Sequence, residues 1–262
     1  MDGKFVARRG GNMDKTLIRE RFARATSTYN KQALVQKNIA QCMSELLFLL
    51  PCSAHQRVWE VGCGTGLFTR AYLHEHNPGE MVLNDLCPEM KPCLDDVLTS
   101  TVHFLPGDAE CTMPQGIFSL IVSCSVLQWL DEPLHFLEQC RSLLCDGGYL
   151  AFSLFGMQNL HEVRALSGSA LSYKSLAAWS ESLTSMGYQV IHASENRTSI
   201  SFASPCDVLR HLQQTGVTGI GRQVWTKRRL EEFCKDYEER FSLPNGGVEL
   251  TYHPMYLIVK NR

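Results

Sequence analysis

Three glycines at alternate positions, Gly62, Gly64 and Gly66, follow a short apolar run and precede a helix-like segment. The run Arg57–Val61 reads as a strand with Glu60 near its end, and the helical pattern starts at Leu67. Glycine has no Cβ, so such a loop turns sharply and lets a ligand approach the backbone. The helix opening behind it presents N–H groups that have no partner within the helix. A strand–loop–helix unit of this kind constrains the rest of the chain to pack around a parallel sheet.

The following residues keep that rhythm. Strands are predicted at 57–61, 80–85, 102–106, 118–123 and 149–155, with helices at 67–76, 88–98 and 132–144 between them. Residues 118–123 form a continuous apolar run, as in a strand buried on both faces. Alternating strands and helices imply a parallel sheet with helices on both sides and right-handed crossovers. Ahead of the sheet, residues 14–25 and 31–50 read as two helices, with the polar stretch 26–30 as an interruption and Pro51 as the stop. Beyond residue 155, helices are expected at 173–186, 205–215 and 226–241, and strands at 188–193 and 198–203. Residues 248–259 are expected to form the closing strand, antiparallel and at or near the sheet edge, where Pro254 is tolerated. The expected organisation is an N-terminal helical region over 1–52 and one α/β unit over 53–262, with a helical insertion at 205–242.

Composition excludes several classes. At 44% hydrophobic and 20% charged residues, the chain has the makings of a globular core. No apolar run reaches the roughly 18–20 residues needed to span a bilayer. Residues 1–12 are basic and glycine-rich without an apolar core, so they are not read as a secretory signal, and Met13 is an alternative start. The eleven cysteines show no C-x-x-C pair or zinc-type spacing. They are read as reduced thiols in a cytoplasmic protein that holds no metal. Net charge is −2, yet residues 1–38 carry nine Lys/Arg against three Asp/Glu, which is +6 and leaves −8 on the remainder. That balance argues against general nucleic-acid binding and leaves two readings of the N-terminal end, a solvated helix face or a surface for an anionic partner.

Three strand-end loops carry the candidate binding chemistry. The first is Glu60, Gly62, Cys63, Gly64 and Gly66. Its G-x-G-x-G spacing differs from the dinucleotide pattern G-x-G-x-x-G. The second is Asp85, nineteen residues after Gly66, placed to accept two ribose hydroxyls. Asn84 competes with it for that register, and an acid ending the second strand does not by itself choose the cofactor. The third is Gly107-Asp108-Ala109-Glu110, where Asp108 can accept an adenine amino group and the Ala109 N–H can donate to a ring nitrogen. Leu86 and Met90 offer an apolar surface beside the base, and Ser123 ends the fourth strand.

Together these residues resemble the class I S-adenosylmethionine-dependent methyltransferases. The resemblance implies a Rossmann-like doubly wound sheet of seven strands, the last antiparallel. The flanks narrow it: Phe22, Ala25, Tyr29, Ala33 and Gln36 in order, Ser125-Val126-Leu127-Gln128-Trp129, the stretch from Pro205 to Gly216, and Leu250-Thr251-Tyr252. This set is similar to the malonyl-acyl-carrier-protein O-methyltransferase family of biotin synthesis, departing from it at Asn84, where many relatives have a hydrophobic residue. The resemblance implies methyl transfer to the free carboxylate of a malonyl thioester on acyl-carrier protein. Tyr29 and Gln36 are then expected over the donor, and Gln128 and Trp129 on the acceptor side. Arg210 or Arg222 is expected to hold the acceptor carboxylate, with the basic N-terminal region meeting the acidic carrier. A carboxylic acid near pKa ~4 is already ionised at neutral pH, so no general base is expected. Rival readings are a methyltransferase for another small carboxylate or hydroxyl, and a non-catalytic assembly protein of the same fold. The intact glycine loop and strand-two acid count against the latter. Nucleic-acid methylation is disfavoured because Ser123-Cys124-Ser125 stands where an Asn-Pro-Pro-Tyr-type run is expected.

Overall fold

A computed structural model of the chain describes residues 14–167, 173–215 and 226–262, leaving the side chains of 27, 28, 30 and 31 aside. The chain divides into two compact units. One takes the described residues of 33–154, 175–195 and 255–262; the other takes those of 1–32, 155–174 and 196–254.

The first of these units is built on a seven-stranded sheet. Its strands are β1 (Arg57–Val61), β2 (Glu80–Asp85), β3 (Val102–Pro106), β4 (Phe118–Cys124), β5 (Leu144–Phe155), β6 (Gln189–Glu195) and β9 (Pro254–Lys260), in the order β3-β2-β1-β4-β5-β9-β6. β1 pairs in parallel with β2 and β4, so strand order reverses at β1, and the carboxyl ends of these strands define the ligand side of such sheets. Alternation along β1 separates two functions. Trp59 and Val61 enter the core shared with Phe136, Leu137 and Leu183, which lie on α4 (Pro133–Leu143) and α6 (Leu176–Ser185). Glu60 points to the other face, under α3 (Leu67–Glu75), where the Thr69 hydroxyl meets its carboxylate at 2.7 Å. α2 (Leu34–Phe48) packs on α3, tied by the Ser44 hydroxyl donating to the Ala71 carbonyl at 3.1 Å.

Several expectations need correction. The N-terminal helix α1 (Lys15–Gln32) runs through residues 26–30, and the break falls at Ala33. Thr26 is accommodated because its hydroxyl donates back to the Phe22 and Ala23 carbonyls. The segment predicted as a helix over 88–98 is a 3₁₀ turn over Pro88–Leu94, consistent with Pro92 inside it. Residues 146–148 are not a turn ahead of a strand but an irregularity within β5. Pairing with β4 shifts between Phe118 and Leu120, while Asn261 holds the bulged stretch through Gly147 N–H at 3.1 Å and the Gly148 carbonyl at 2.8 Å. The expected closing strand is two strands in two sheets. β8 (Val248–Tyr252) pairs with β7 (Thr198–Phe202) in a separate two-stranded sheet, and β9 lies between β5 and β6, antiparallel to β6. β9 lies one strand in from the edge strand β6, near the sheet edge as expected, and Pro254 is tolerated there because it opens the strand.

The second unit carries α1, α5 (His161–Ser167), α7 (Pro205–Gln214), α8 (Lys227–Phe241) and the β7–β8 ribbon. α7 and α8 are the helices expected of the insertion. Their starts follow N-cap chemistry: Ser204 accepts from Asp207 N–H and Thr226 from Arg229 N–H. Among the described residues, no helix is long and apolar enough to cross a membrane.

Candidate donor site at the carboxyl ends of β1, β2 and β3

The glycine loop is held from three directions. All three glycines are left-handed, with φ of +72° at Gly62, +52° at Gly64 and +81° at Gly66. From behind, the Asn84 carbonyl accepts from both Gly62 N–H and Cys63 N–H, each at 2.8 Å. From the β2 end, Asp85 Oδ2 accepts from Gly64 N–H at 2.7 Å, while Oδ1 accepts from Cys87 N–H at 2.8 Å. From the helix side, the Arg70 guanidinium donates to the Thr65 carbonyl at 2.6 Å and the Gly66 carbonyl at 3.1 Å. Arg70 also reaches the Cys93 carbonyl at 2.6 Å and the Asp96 carboxylate, so it ties the loop to the segment that carries Met90.

The local electrostatics follow from burial. Glu60 is 2% exposed, and burial pushes its carboxyl up to about 8, with the Thr69 hydroxyl and Arg70 pulling the other way. Burial also raises Asp85, opposed by the two backbone N–H groups it receives. Cys63 is pushed well up by burial and by the neighbouring carboxylates, so it is an inert thiol within the loop. All eleven cysteines are free. Among the described residues, no group of three or more His, Cys, Asp or Glu is placed to hold a metal.

The third loop is shaped by its own backbone. Asp108 Oδ1 accepts from Glu110 N–H at 3.1 Å, and the Asp108 carbonyl accepts from Cys111 and Thr112. Ala109 is buried. The side chain of Glu110, expected among the binding residues, bonds the lead-in to α4: its two oxygens accept from Asp131 N–H at 2.9 Å and Glu132 N–H at 2.8 Å. Ser123 is likewise engaged within the sheet, its hydroxyl donating to the Val61 carbonyl at 3.2 Å. Met90 is buried and Leu86 half-buried at the β2 end.

After β4 the backbone takes an unusual course. Ser125 is left-handed at φ +59°, one of two such non-glycine residues described. Its carbonyl accepts from Gln128 Nε2 at 2.6 Å, while Ser125 Oγ and Gln128 Oε1 are buried without a protein partner. Gln36, on α2, is 7% exposed, and its Oε1 is also buried and unpartnered. Trp129 lies half-buried on the 3₁₀ turn Leu127–Trp129.

One compact unit thus contains Gln36, Glu60, Gly62, Cys63, Gly64, Gly66, Asp85, Leu86, Met90, Asp108, Ala109, Glu110, Ser123, Gln128 and Trp129. Tyr29, on α1, and Arg210, on α7, belong to the other unit. Arg210 is exposed there and pairs with Asp207 one turn earlier on the same helix. Arg222 lies outside the described residues. Sequence reading missed Thr69, Arg70 and Ser125. The available signal for Arg70 was its place four residues beyond Gly66 on the following helix. Ser125 entered only as part of the run to Trp129, and nothing local marked Thr69.

The residues fit an adenosyl-sulfonium ligand. A Cβ built on Gly64 meets nothing within 4 Å, so the loop fronts open space at that residue. Each Asp85 oxygen accepts one backbone N–H, and the carboxylate has lone pairs for hydroxyls beyond these and the Cys87 side chain that also bonds it. Buried acceptors at Gln36, Ser125 and Gln128 still lack donors.

Comparison with known proteins agrees with this geometry. A family model described as a methyltransferase domain matches residues 34–219. A malonyl-acyl-carrier-protein O-methyltransferase of Bacteroides helcogenes is 42% identical, over 95% of this chain and 100% of its own length. A protein of the same name from Bacteroides fragilis is 46% identical over 95% of the chain, which spans only 51% of that longer relative. Among solved structures, a putative methyltransferase from Bacillus halodurans superposes with a TM-score of 0.61 at 14% identity, covering 84% of this chain and 98% of that one. That likeness bears on the fold.

Proposed function

The chain belongs to the methyltransferase-domain family and, within it, to the malonyl-acyl-carrier-protein O-methyltransferases, and from that premise we propose that it methylates the free carboxylate of a malonyl thioester on acyl-carrier protein, an early step of biotin synthesis. S-adenosylmethionine supplies an activated methyl group on a sulfonium. The observation that carries the donor-site reading is the clasp of Gly64 N–H by Asp85 beside an open Cβ position.

The protein's own residues then bind and orient. Asp85 receives the ribose hydroxyls while keeping the glycine loop in place. Asp108 and the Ala109 N–H read the adenine. Gln36 and Gln128 offer their unpartnered oxygens to polar hydrogens of the donor or acceptor. Tyr29 helps to cover the donor, and Trp129 lines the acceptor side. No residue has to remove a proton, because the malonyl carboxylate is ionised at neutral pH and its oxygen is already nucleophilic. The protein's work is alignment and exclusion of water. Methylation neutralises the carboxylate, which suits later elongation in apolar enzyme pockets.

Arg210 is the proposed partner of the acceptor carboxylate. The carrier is acidic, and α1 presents Lys15, Arg19, Arg21 and Arg24 against a single Glu20, a charge balance that steers such a partner. The test is incubation with labelled donor and malonyl-carrier protein, malonyl-coenzyme A or free malonate. A base-labile methyl ester forming fastest on the carrier-bound substrate is expected. Absence of ester from all three would refute the reading.

A further inference from the structure

The Asn84 side chain reaches across to the loop after β3 while its main chain holds the glycine loop. It is 1% exposed at the end of β2, in a central position of the ladder, opposite Val61 on one side and Leu105 on the other. Its carbonyl accepts the N–H groups of Gly62 and Cys63. Its Nδ2 donates to the Leu105 carbonyl at 3.0 Å and the Gly107 carbonyl at 2.9 Å. A hydrophobic residue at 84 makes the first pair of bonds equally well, because those use only main-chain atoms. The second pair needs an amide.

That second pair acts where the chain leaves β3. Gly107 has φ +144°, its N–H donates to the Asp85 carbonyl at 2.8 Å, and Asp108 follows directly. Two carbonyls gathered on one amide nitrogen set the direction in which the backbone enters the 107–112 turn. Leu105 and Gly107 are half-buried, and a carbonyl there deprived of its donor seeks another partner, so the turn would re-aim to find one. Asp108 and the Ala109 N–H would then be displaced, while Asp85 and the glycine loop stay in place.

We infer that Asn84 is a positioning residue for base recognition: its amide sets the Gly107–Asp108 turn so that the site discriminates the nucleobase of the methyl donor. The inference rests on the donor-site reading above and adds to it a residue that touches no ligand itself.

The discriminating measurement is a ratio of affinities. Calorimetry on the whole protein would compare S-adenosylhomocysteine with its hypoxanthine analogue, in which an oxo group replaces the exocyclic amine. Wild type should prefer the adenine compound. Asn84→Val keeps a good strand former at a doubly paired position, and Asn84→Leu keeps nearly the shape of the amide while removing the donor without adding a charge. Both should lower the preference about tenfold or more, the scale expected when a buried hydrogen bond is lost. Affinity for the hypoxanthine compound should change little. Amide hydrogen exchange on the free variants should rise in 107–112 and stay near wild type in 62–66. A merely structural role would weaken both ligands in equal proportion, and an unchanged ratio in either folded variant overturns the assignment. Should both variants melt too early for calorimetry, uniform exchange across 62–66 and 107–112 at low temperature overturns it as well. Wild type binding neither compound overturns the donor-site reading and this assignment with it.

Discussion

Asp85 Oδ2 accepts the backbone N–H of Gly64 at 2.7 Å, and through that bond the acid ending β2 determines the shape of the loop ending β1. The same carboxylate holds Cys87 N–H on its other oxygen. Asp85 is therefore both a proposed ligand of the ribose and a strut of the loop that receives it.

Asp85→Asn separates these two duties poorly, and its effect should be large. The amide has one acceptor oxygen in place of two, so one of the two N–H groups faces an NH2. An orphaned donor costs about 1–3 kcal/mol, part of it in stability and part in binding. Affinity for S-adenosylhomocysteine by calorimetry should fall by about a hundredfold, with the melting temperature lowered by only a few degrees. Wild-type affinity in a folded Asp85→Asn protein would remove Asp85 from the site.

The glycines of the loop should respond differently to the same change. A Cβ on Gly62 lies 2.3 Å from Val126 Cγ2, a stiff β-branched neighbour, and the φ of +72° is unfavourable in addition. Gly62→Ala should therefore cost about 2–4 kcal/mol of stability. Gly64→Ala pays for its left-handed φ alone, about 1–2 kcal/mol, since its Cβ meets nothing. Yet that Cβ occupies the space in front of the loop, so Gly64→Ala should lose ligand affinity out of proportion to its stability. Denaturant melts paired with calorimetry check both. Equal losses of stability at 62 and 64 would contradict the packing.

Glu60 makes the stability of the ligand-free protein depend on pH in a defined direction. Burial raises its folded value to about 8 from an ordinary 4.5. The protonated form is the one the fold favours, so this contribution is complete below pH 4.5 and is lost as pH rises through about 8. Between pH 5 and 9 the wild-type melting temperature should fall by about 5 °C more than that of Glu60→Gln, which cannot ionise and keeps an acceptor for the Thr69 hydroxyl. Parallel melting curves for the two proteins across that range would show that Glu60 is not the group responsible.

The strands of the sheet were legible because each central strand is buried on both faces and reads as an apolar run. β1 and β2 fall at their expected bounds, as does β3, an edge strand that is only partly buried. The split of residues 248–259 was not legible. Nothing local to Pro254 tells that the residues before it pair with β7 and those after it with β6, since both partners lie some fifty or more residues earlier. The continuity of α1 was masked by Thr26, whose hydroxyl finds acceptors inside the helix. At the site, Gly62, Gly64, Gly66 and Asp85 were readable from spacing. The roles of Arg70 and Asn84 were not, although the positions stood out, because their work is hydrogen bonding to main-chain carbonyls, which carry no residue identity. The bonds of the Glu110 side chain to the N–H groups of Asp131 and Glu132 were not legible for the same reason.

Arg210 provides the test of the acceptor side. On α7 it pairs with Asp207, which also accepts from the Ser204 hydroxyl at 2.7 Å. Exposed pairs of this kind are weak, worth about 0–1 kcal/mol, so the guanidinium is readily exchanged from Asp207 to an incoming carboxylate. Arg210→Ala should raise KM for malonyl-carrier protein about tenfold and leave the affinity for S-adenosylhomocysteine unchanged. Asp207→Asn should move KM the other way, since it frees the guanidinium while an asparagine still accepts from Ser204. Arg210→Lys should recover only part of the loss, because an ammonium offers no planar fork to a carboxylate. If all three variants keep the wild-type KM, the acceptor carboxylate is held elsewhere, and Arg222 is the next residue to substitute.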